Sequence, residues 1–280
     1  KLDGFCLKPC ENEKHDHAVG GPFDMYFVTD MWQKWIVAFE KMREANPDMW
    51  INMTCYANVS PWWLQWVNSL WVQNSGDIGF AKNYDEQPQV EAEITYRDGR
   101  YYDCLCTRGL QMPLKALYNH EPIYGNTAKV NYTDEEFEKY LYWCTVRGQA
   151  LNELHLSCNM MNDKKWDSLA EVMNFQKENY HILQNATFIG GDPLDNNIYG
   201  YISWTKDGEG IIAMRNPTKE KTSLTLTLNQ LMGTPENLSG ARCVSVYNKT
   251  FEIGDRIYSY GDKVDLTLHP FEVMILKFTK

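Results

Sequence analysis

Two acidic residues stand where reacting groups are expected. Asp3 closes the first apolar run, and Asp77 follows the run Leu70–Gln73 after Asn74-Ser75-Gly76. In parallel α/β folds, reacting side chains sit where strands end and loops begin. Two carboxylates placed that way at one barrel mouth are the equipment of glycosidic bond cleavage, one attacking or stabilising and one moving a proton. Both positions also have a plain structural reading. Asp3-Gly4 suits a turn, and Asp77 suits a helix cap. The same strand-end rule picks out Thr54 and Cys55, Asn119 and His120, and Ser157 and Cys158. His120, which precedes Glu121-Pro122, either touches substrate or satisfies loop carbonyls. His155 lies inside an apolar run and reads as a core histidine. Asp85-Glu86 and Glu91-x-Glu93 read as a solvated face.

Other chemistries leave no trace. The chain has no G-x-S-x-G, no P-loop and no G-x-G-x-x-G, so serine-hydrolase and nucleotide-binding signals are missing. Its 280 residues carry a formal charge of −10 with no basic stripe, which argues against nucleic acid as a partner. No run of about 18 apolar residues predicts a membrane span. Ten Trp and 17 Tyr fit rings that stack on sugars and fit an aromatic core equally well. Of the eight Cys, Cys55, Cys144 and Cys158 read as small buried hydrophobes. Cys6 and Cys10 with His15 and His17 have metal-ligand types, but all lie in one loop. A disulfide or thiols there is preferred over zinc. Sequons at Asn52, Asn58, Asn131, Asn185, Asn237 and Asn248 lean towards an extracytoplasmic (periplasmic or secreted) setting.

The elements that must hold these residues alternate. A strand at 1–5 precedes a helix at 24–46, whose Trp32, Trp35, Ile36 and Phe39 share a face and which Asn46-Pro47 stops. A strand at 49–55, a helix at 61–68 and a strand at 70–73 follow. The polar stretch 83–103 carries Asp98-Gly99 at an expected hairpin turn. A strand at 112–118 comes next. Thr133-x-x-Glu136 is a capping box opening a helix with Phe137, Tyr140, Leu141 and Cys144 on one face. A strand at 150–156 leads to a helix capped by Asn162, with Trp166, Leu169, Ala170 and Met173 expected inward. Such alternation predicts parallel strands with crossover helices. Beyond residue 185 short β-type runs recur, with Asp207-Gly208 between the first two and strict alternation over Ser223–Leu228. The expected division is therefore 1–185, α/β, and 186–280, an antiparallel β-sandwich.

With these residues in view, Lys1-Leu2-Asp3-Gly4 resembles the lysine-x-aspartate strand of clan-D α-galactosidase-type glycoside hydrolases, family 36 in particular. Met53-Thr54-Cys55 stands where that family has a strand ending in a substrate-contacting cysteine. Leu70 to Asp77 resembles its strand ending tryptophan-threonine-serine-aspartate. The resemblance implies a C-terminal portion of a (β/α)8 TIM barrel, about strands four to eight, followed by the β-sandwich. It implies a hydrolase, a retaining exo-acting α-glycosidase with Asp3 as nucleophile and Asp77 as general acid/base. Lys1, Cys55, Trp71, Asn74 and His120 would line the sugar site, with a carbohydrate as substrate. No metal or organic cofactor is required. Trp71 would supply the apolar wall that keeps Asp77 protonated. The missing barrel strands would come from the same or another chain, since open edges do not fold alone. The family's glycine-rich, arginine-bearing segment is replaced by Tyr56-Ala57-Asn58-Val59-Ser60. An α-N-acetylgalactosaminidase on the same scaffold and an inactive sugar-binding relative therefore stay open.

Overall fold

The structure, a computed structural model, describes residues 1–3, 12–14, 25–54, 59–72, 75–82, 87–126, 128–247 and 256–280. The chain divides into two compact units, Lys1–Gln73 and Asn74–Lys280. The boundary expected near 185 falls inside the second unit. Among the described residues no helix is long and apolar enough to cross a membrane.

The first unit holds β1 (Leu2–Asp3), α1 (Met25–Ala45), β2 (Asn52–Thr54) and β3 (Ser69–Trp71). β1 runs parallel to β2 with Asp3 opposite Thr54, and β2 runs parallel to β3 with Met53 opposite Leu70. Helix α1 ends before Pro47, whose ring disfavours helical backbone in the residue before it. Its Phe39 is fully buried. The expected helix at 61–68 is a single 3₁₀ turn, Pro61–Gln65, capped by the Ser60 hydroxyl, which accepts from the Trp62 N–H. The indoles here pack on one another. Trp62 lies 4.8 Å from Trp63 and 4.7 Å from Trp66, and Trp32 lies 6.0 Å from Trp63. That places Trp63 in the core and leaves Trp50 and Trp62 exposed.

The second unit opens with α2 (Gln89–Tyr102), then β4 (Leu117–Tyr118), β5 (His120–Tyr124), α3 (Asp134–Val146), β6 (Glu153–Leu156) and α4 (Asp163–Leu183). The capping box of α3 forms as expected. Thr133 Oγ1 accepts from the Glu136 N–H at 3.1 Å, and the Glu136 carboxylate accepts from the Thr133 N–H at 2.8 Å. β5 and β6 pair in parallel, with an irregularity between His120 and Ile123.

An antiparallel region follows: β7 (Thr187–Gly190), β8 (Tyr199–Trp204), β9 (Gly210–Arg215), β10 (Thr222–Thr227), β11 (Ala241–Tyr247), β12 (Ile257–Tyr258), β13 (Lys263–Leu268) and β14 (Val273–Thr279). One sheet has the order β12-β11-β14-β9-β8-β7, and β10 pairs with β13 in a second ladder. Ile202, Ile212, Leu276 and Phe278 of the first sheet share a core with Val264 and Leu266 of the second. The turn between β8 and β9 uses Gly208 at φ +91°, a left-handed conformation that suits glycine. This is the hairpin that Asp207-Gly208 predicts.

Four expectations are corrected. Within the polar stretch 83–103 the hairpin turn expected at Asp98-Gly99 does not form. Residues 89–102 form α2, and Asp98-Gly99 lies inside that helix, buried. A Cβ at Gly99 would come within 2.6 Å of Leu194 Cγ, so the glycine serves a close approach rather than a turn. Glu91 and Glu93 are buried, not solvated, because each has partners inside the unit. The expected strand at 112–118 is a 3₁₀ turn, Leu114–Ala116, followed by the short β4. Along α4 the buried stripe runs through Lys165, Ser168, Leu169, Val172 and Gln176, while Trp166 and Ala170 face solvent.

Candidate functional site

The described site gathers around the start of β5. In a strand, successive side chains point to opposite faces, and His120 and Glu121 obey this. The His120 Nε2 atom lies 3.5 Å from Asp77 Oδ1, and its Nδ1 lies 3.0 Å from Glu153 Oε2. The His155 ring sits 3.9 Å from the His120 ring. Together they border a cavity of about 380 Å³ lined by Asp77, His120, Ile123, Leu154, His155 and Ser157, among others. The Ser157 hydroxyl accepts from the Asn126 N–H at 3.0 Å.

Glu121 points the other way, into a buried charge network. It accepts from Arg147 Nη1 and lies 3.5 Å from Arg97 Nε. Arg97 in turn holds the loop that carries Asp77. Its Nη1 donates to Ser75 Oγ and, at 3.0 Å, to the Gly76 carbonyl. Its Nη2 donates to the Asp77 carbonyl at 3.0 Å. From the same helix, Tyr96 Oη accepts from the Gly76 N–H at 2.9 Å.

The next residue of α2, Asp98, receives four donors. They are Trp143 Nε1 at 2.7 Å, Arg147 Nε at 2.9 Å, and the Tyr199 and Tyr201 hydroxyls at 2.6 Å each. Burial pushes both phenols well above their ordinary range, so they stay protonated and donate. Arg215 donates to the Glu91 carboxylate at 2.8 Å and to Thr95 Oγ1 at 2.9 Å. Glu93 accepts from the Tyr132 hydroxyl and, at 2.6 Å, from that of Tyr140. Burial raises the Glu93 carboxyl from the ordinary 4.5 to about 7, against the pull of the tyrosine hydrogen bonds.

The expected site residues fall as follows. Asp3 ends β1, mostly exposed, with Lys1 Nζ 3.5 Å from its Oδ2. Trp71 ends β3, half-buried. Asp77 and His120 meet in the second unit. The Asp77 side chain is 80% exposed, so the apolar wall expected around it is not built by the described residues of its own unit. Asn119 is committed to the core, accepting from the Tyr101 hydroxyl at 2.9 Å. Cys55, Asn74 and the Cys6, Cys10, His15 and His17 group lie outside the described residues. Cys144 is buried as expected, but Cys158 is exposed. His155 is also exposed, not a core histidine. Sequence reasoning passed over Glu153 and Arg97. For Glu153 the signal was available: it lies two residues before His155 and so shares its face of the strand.

No family model matches the chain, and no curated protein matches it. Solved structures do. A family 36 α-galactosidase from Geobacillus stearothermophilus in complex with raffinose superposes with a TM-score of 0.57 at 13% identity, covering 90% of this chain and 31% of its own. α-Galactosidase I from Mortierella vinacea gives 0.51 at 10% identity, covering 89% and 63%. A family 27 β-L-arabinopyranosidase from Geobacillus stearothermophilus gives 0.50 at 11%, covering 88% and 54%. This chain therefore shares their fold over most of its length and spans between about a third and two thirds of theirs.

Proposed function

We propose that this chain is the C-terminal part of a retaining α-glycosidase of the α-galactosidase type. Residues 1–185 contribute about strands four to eight of a (β/α)8 barrel, and 186–280 form the β-sandwich behind it. The remaining barrel strands complete the sheet from the same or another chain. The reading rests above all on Asp3, at the end of a parallel strand with Lys1 beside it, in a chain whose backbone follows α-galactosidases over nine-tenths of its length.

In this mechanism Asp3 attacks the anomeric carbon of a terminal sugar as the bond to the leaving oxygen breaks. Asp77 gives its proton to that oxygen. A glycosyl ester on Asp3 results. Water then attacks the same carbon while Asp77 takes a proton from it, and Asp3 leaves as a carboxylate. Two inversions give net retention, and the geometry requires carboxyls about 5–5.5 Å apart. Lys1 contacts sugar hydroxyls and favours the charged form of its neighbour. His120 steadies Asp77 from the cavity wall, with Glu153 behind it.

The test is a panel of nitrophenyl α-glycosides with the full-length protein, followed by trapping with a 2-deoxy-2-fluoro glycosyl fluoride of the best substrate. The expected result is turnover with retained anomeric configuration and a label on the peptide carrying Asp3. Inversion of configuration, or a label on another carboxylate, would refute the assignment.

A further inference from the structure

We infer that His120, Glu153 and His155 form a binding site for a divalent transition-metal ion, with zinc the ion the donors fit best. Among the described residues they are the one group of three whose ligand atoms, one from each, all lie within 4.8 Å of one another. Two imidazoles and one carboxylate are the donor set of open zinc sites, which leave a fourth position for water or substrate.

The fold supplies this set for a local reason. Glu153 and His155 are two residues apart on β6 and project to one face. The parallel register sets His120 of β5 opposite Glu153 and Ile123 opposite His155. Across the irregularity between those two pairs the His120 and His155 rings lie 3.9 Å apart, tilted by 37°. With metal–ligand bonds of about 2.0–2.2 Å, tetrahedral donors stand about 3.3–3.6 Å apart. A pair at the 4.8 Å limit would have to close by about 1.2–1.5 Å, within reach of a rotation of the exposed His155, while the His120–Glu153 pair at 3.0 Å would open slightly.

The surroundings agree with a cation. The His120 Nδ1 atom stands 3.0 Å from Glu153 Oε2, so these two donors are already adjacent. Its other nitrogen lies 3.5 Å from the Asp77 carboxylate. A ligating histidine commonly donates its second N–H to a carboxylate, which fixes the ring and its tautomer. No Lys or Arg appears among the described residues lining the cavity, and the Glu153 carboxylate brings negative charge. The fourth position would open towards that cavity, where a water or a sugar hydroxyl has room.

This inference reads metal rather than turnover, so it stands or falls apart from the glycosidase assignment. The full-length protein is stripped with a chelator and titrated calorimetrically with ZnCl₂, and in parallel with CoCl₂ by absorption. We expect one zinc bound at a site whose affinity falls at least about 100-fold in His155→Ala and in Glu153→Gln, and about 10-fold in Asp77→Asn. The exposed position of His155 makes His155→Ala a variant that keeps its fold, checked by circular dichroism. The cobalt form should show d–d bands of nitrogen and oxygen donors without a thiolate charge-transfer band. Equal zinc affinity in the wild type, His155→Ala and Glu153→Gln overturns the proposal. So does a thiolate band, which would place the metal on cysteines.

Discussion

Replacing Glu93 by glutamine should flatten the pH dependence of stability between about pH 4.5 and 7. Glu93 is fully buried against Tyr132 and Tyr140, and burial raises its carboxyl to about 7 in the folded chain, with Glu121 adding to the rise. In the unfolded chain the group titrates near its ordinary 4.5. Below 4.5 both states hold the proton. Between 4.5 and 7 the folded state keeps a proton that the unfolded state has lost, so stability falls as pH rises. Above 7 both are ionised and the loss is complete. At 1.36 kcal/mol per unit, the contribution removed across the window is about 3 kcal/mol. Glutamine does not titrate. It accepts from one tyrosine and donates to the oxygen of the other, so the pair of hydrogen bonds survives. The assay is urea unfolding of the full-length wild type and Glu93→Gln protein at pH 5, 6, 7 and 8. The variant should gain on the wild type by about 2 to 3 kcal/mol between pH 5 and 8, whatever constant offset separates them. Parallel curves, or a wild type that gains on the variant as pH rises, would refute the reasoning.

Three further outcomes follow from the same network. Asp98→Ala strips the shared acceptor from Trp143, Arg147, Tyr199 and Tyr201, leaving Arg147 with Glu121 alone and the three other buried donors without their acceptor. It should cost about 3–5 kcal/mol in denaturant unfolding, and a cost under 1 kcal/mol would contradict the network. Arg97→Met releases the Gly76 and Asp77 carbonyls. Under the proposed mechanism it should lower kcat about 100-fold with KM little changed and Arg97→Lys recovering part of it, and an unchanged kcat sinks this positioning role. Asp77→Asn should lower kcat by about 10²–10⁴-fold on substrates with alkoxide leaving groups. It should matter much less for a dinitrophenyl leaving group, which departs without a proton, and equal losses on both would exclude Asp77 as the acid.

Local signals were legible in the sequence. The Thr133-Glu136 box, the Asn162 cap and the Asp207-Gly208 turn depend on residues within a few positions of each other, and all three form. Parallel pairing of β1 with β2 and of β5 with β6 follows from the alternation of strands and helices. Helix α2 was illegible because its charges are answered from far along the chain. Glu91 meets Arg215, and Asp98 meets Arg147, Tyr199 and Tyr201. Read locally, Glu91-x-Glu93 is a solvated face and Asp98-Gly99 a hairpin turn. Only the fold reveals that the partners of the helix come from α3, β8 and β9. His155 was misplaced for the converse reason. Its apolar neighbours suggested a core strand, yet β6 presents Leu154 and His155 to solvent.

A buried polar helix beside a candidate site asks for a physical reason, since well-packed apolar residues are often no worse for stability than buried ion pairs. The reason here is the consecutive placement of Arg97 and Asp98. Arg97 reaches the carbonyls of Gly76 and Asp77, and Asp98 reaches two tyrosines of β8. Arg147 closes the loop by contacting both Asp98 and Glu121, whose neighbour His120 faces the cavity. A directional network of this kind fixes the loop carrying Asp77 and the strand carrying His120 to the same antiparallel sheet. Apolar packing, which is non-directional, would not set either carboxylate or imidazole to a few tenths of an ångström. The antiparallel region is therefore tied, through the tyrosines of β8 and Asp98, to the helix whose Arg97 holds the loop carrying Asp77.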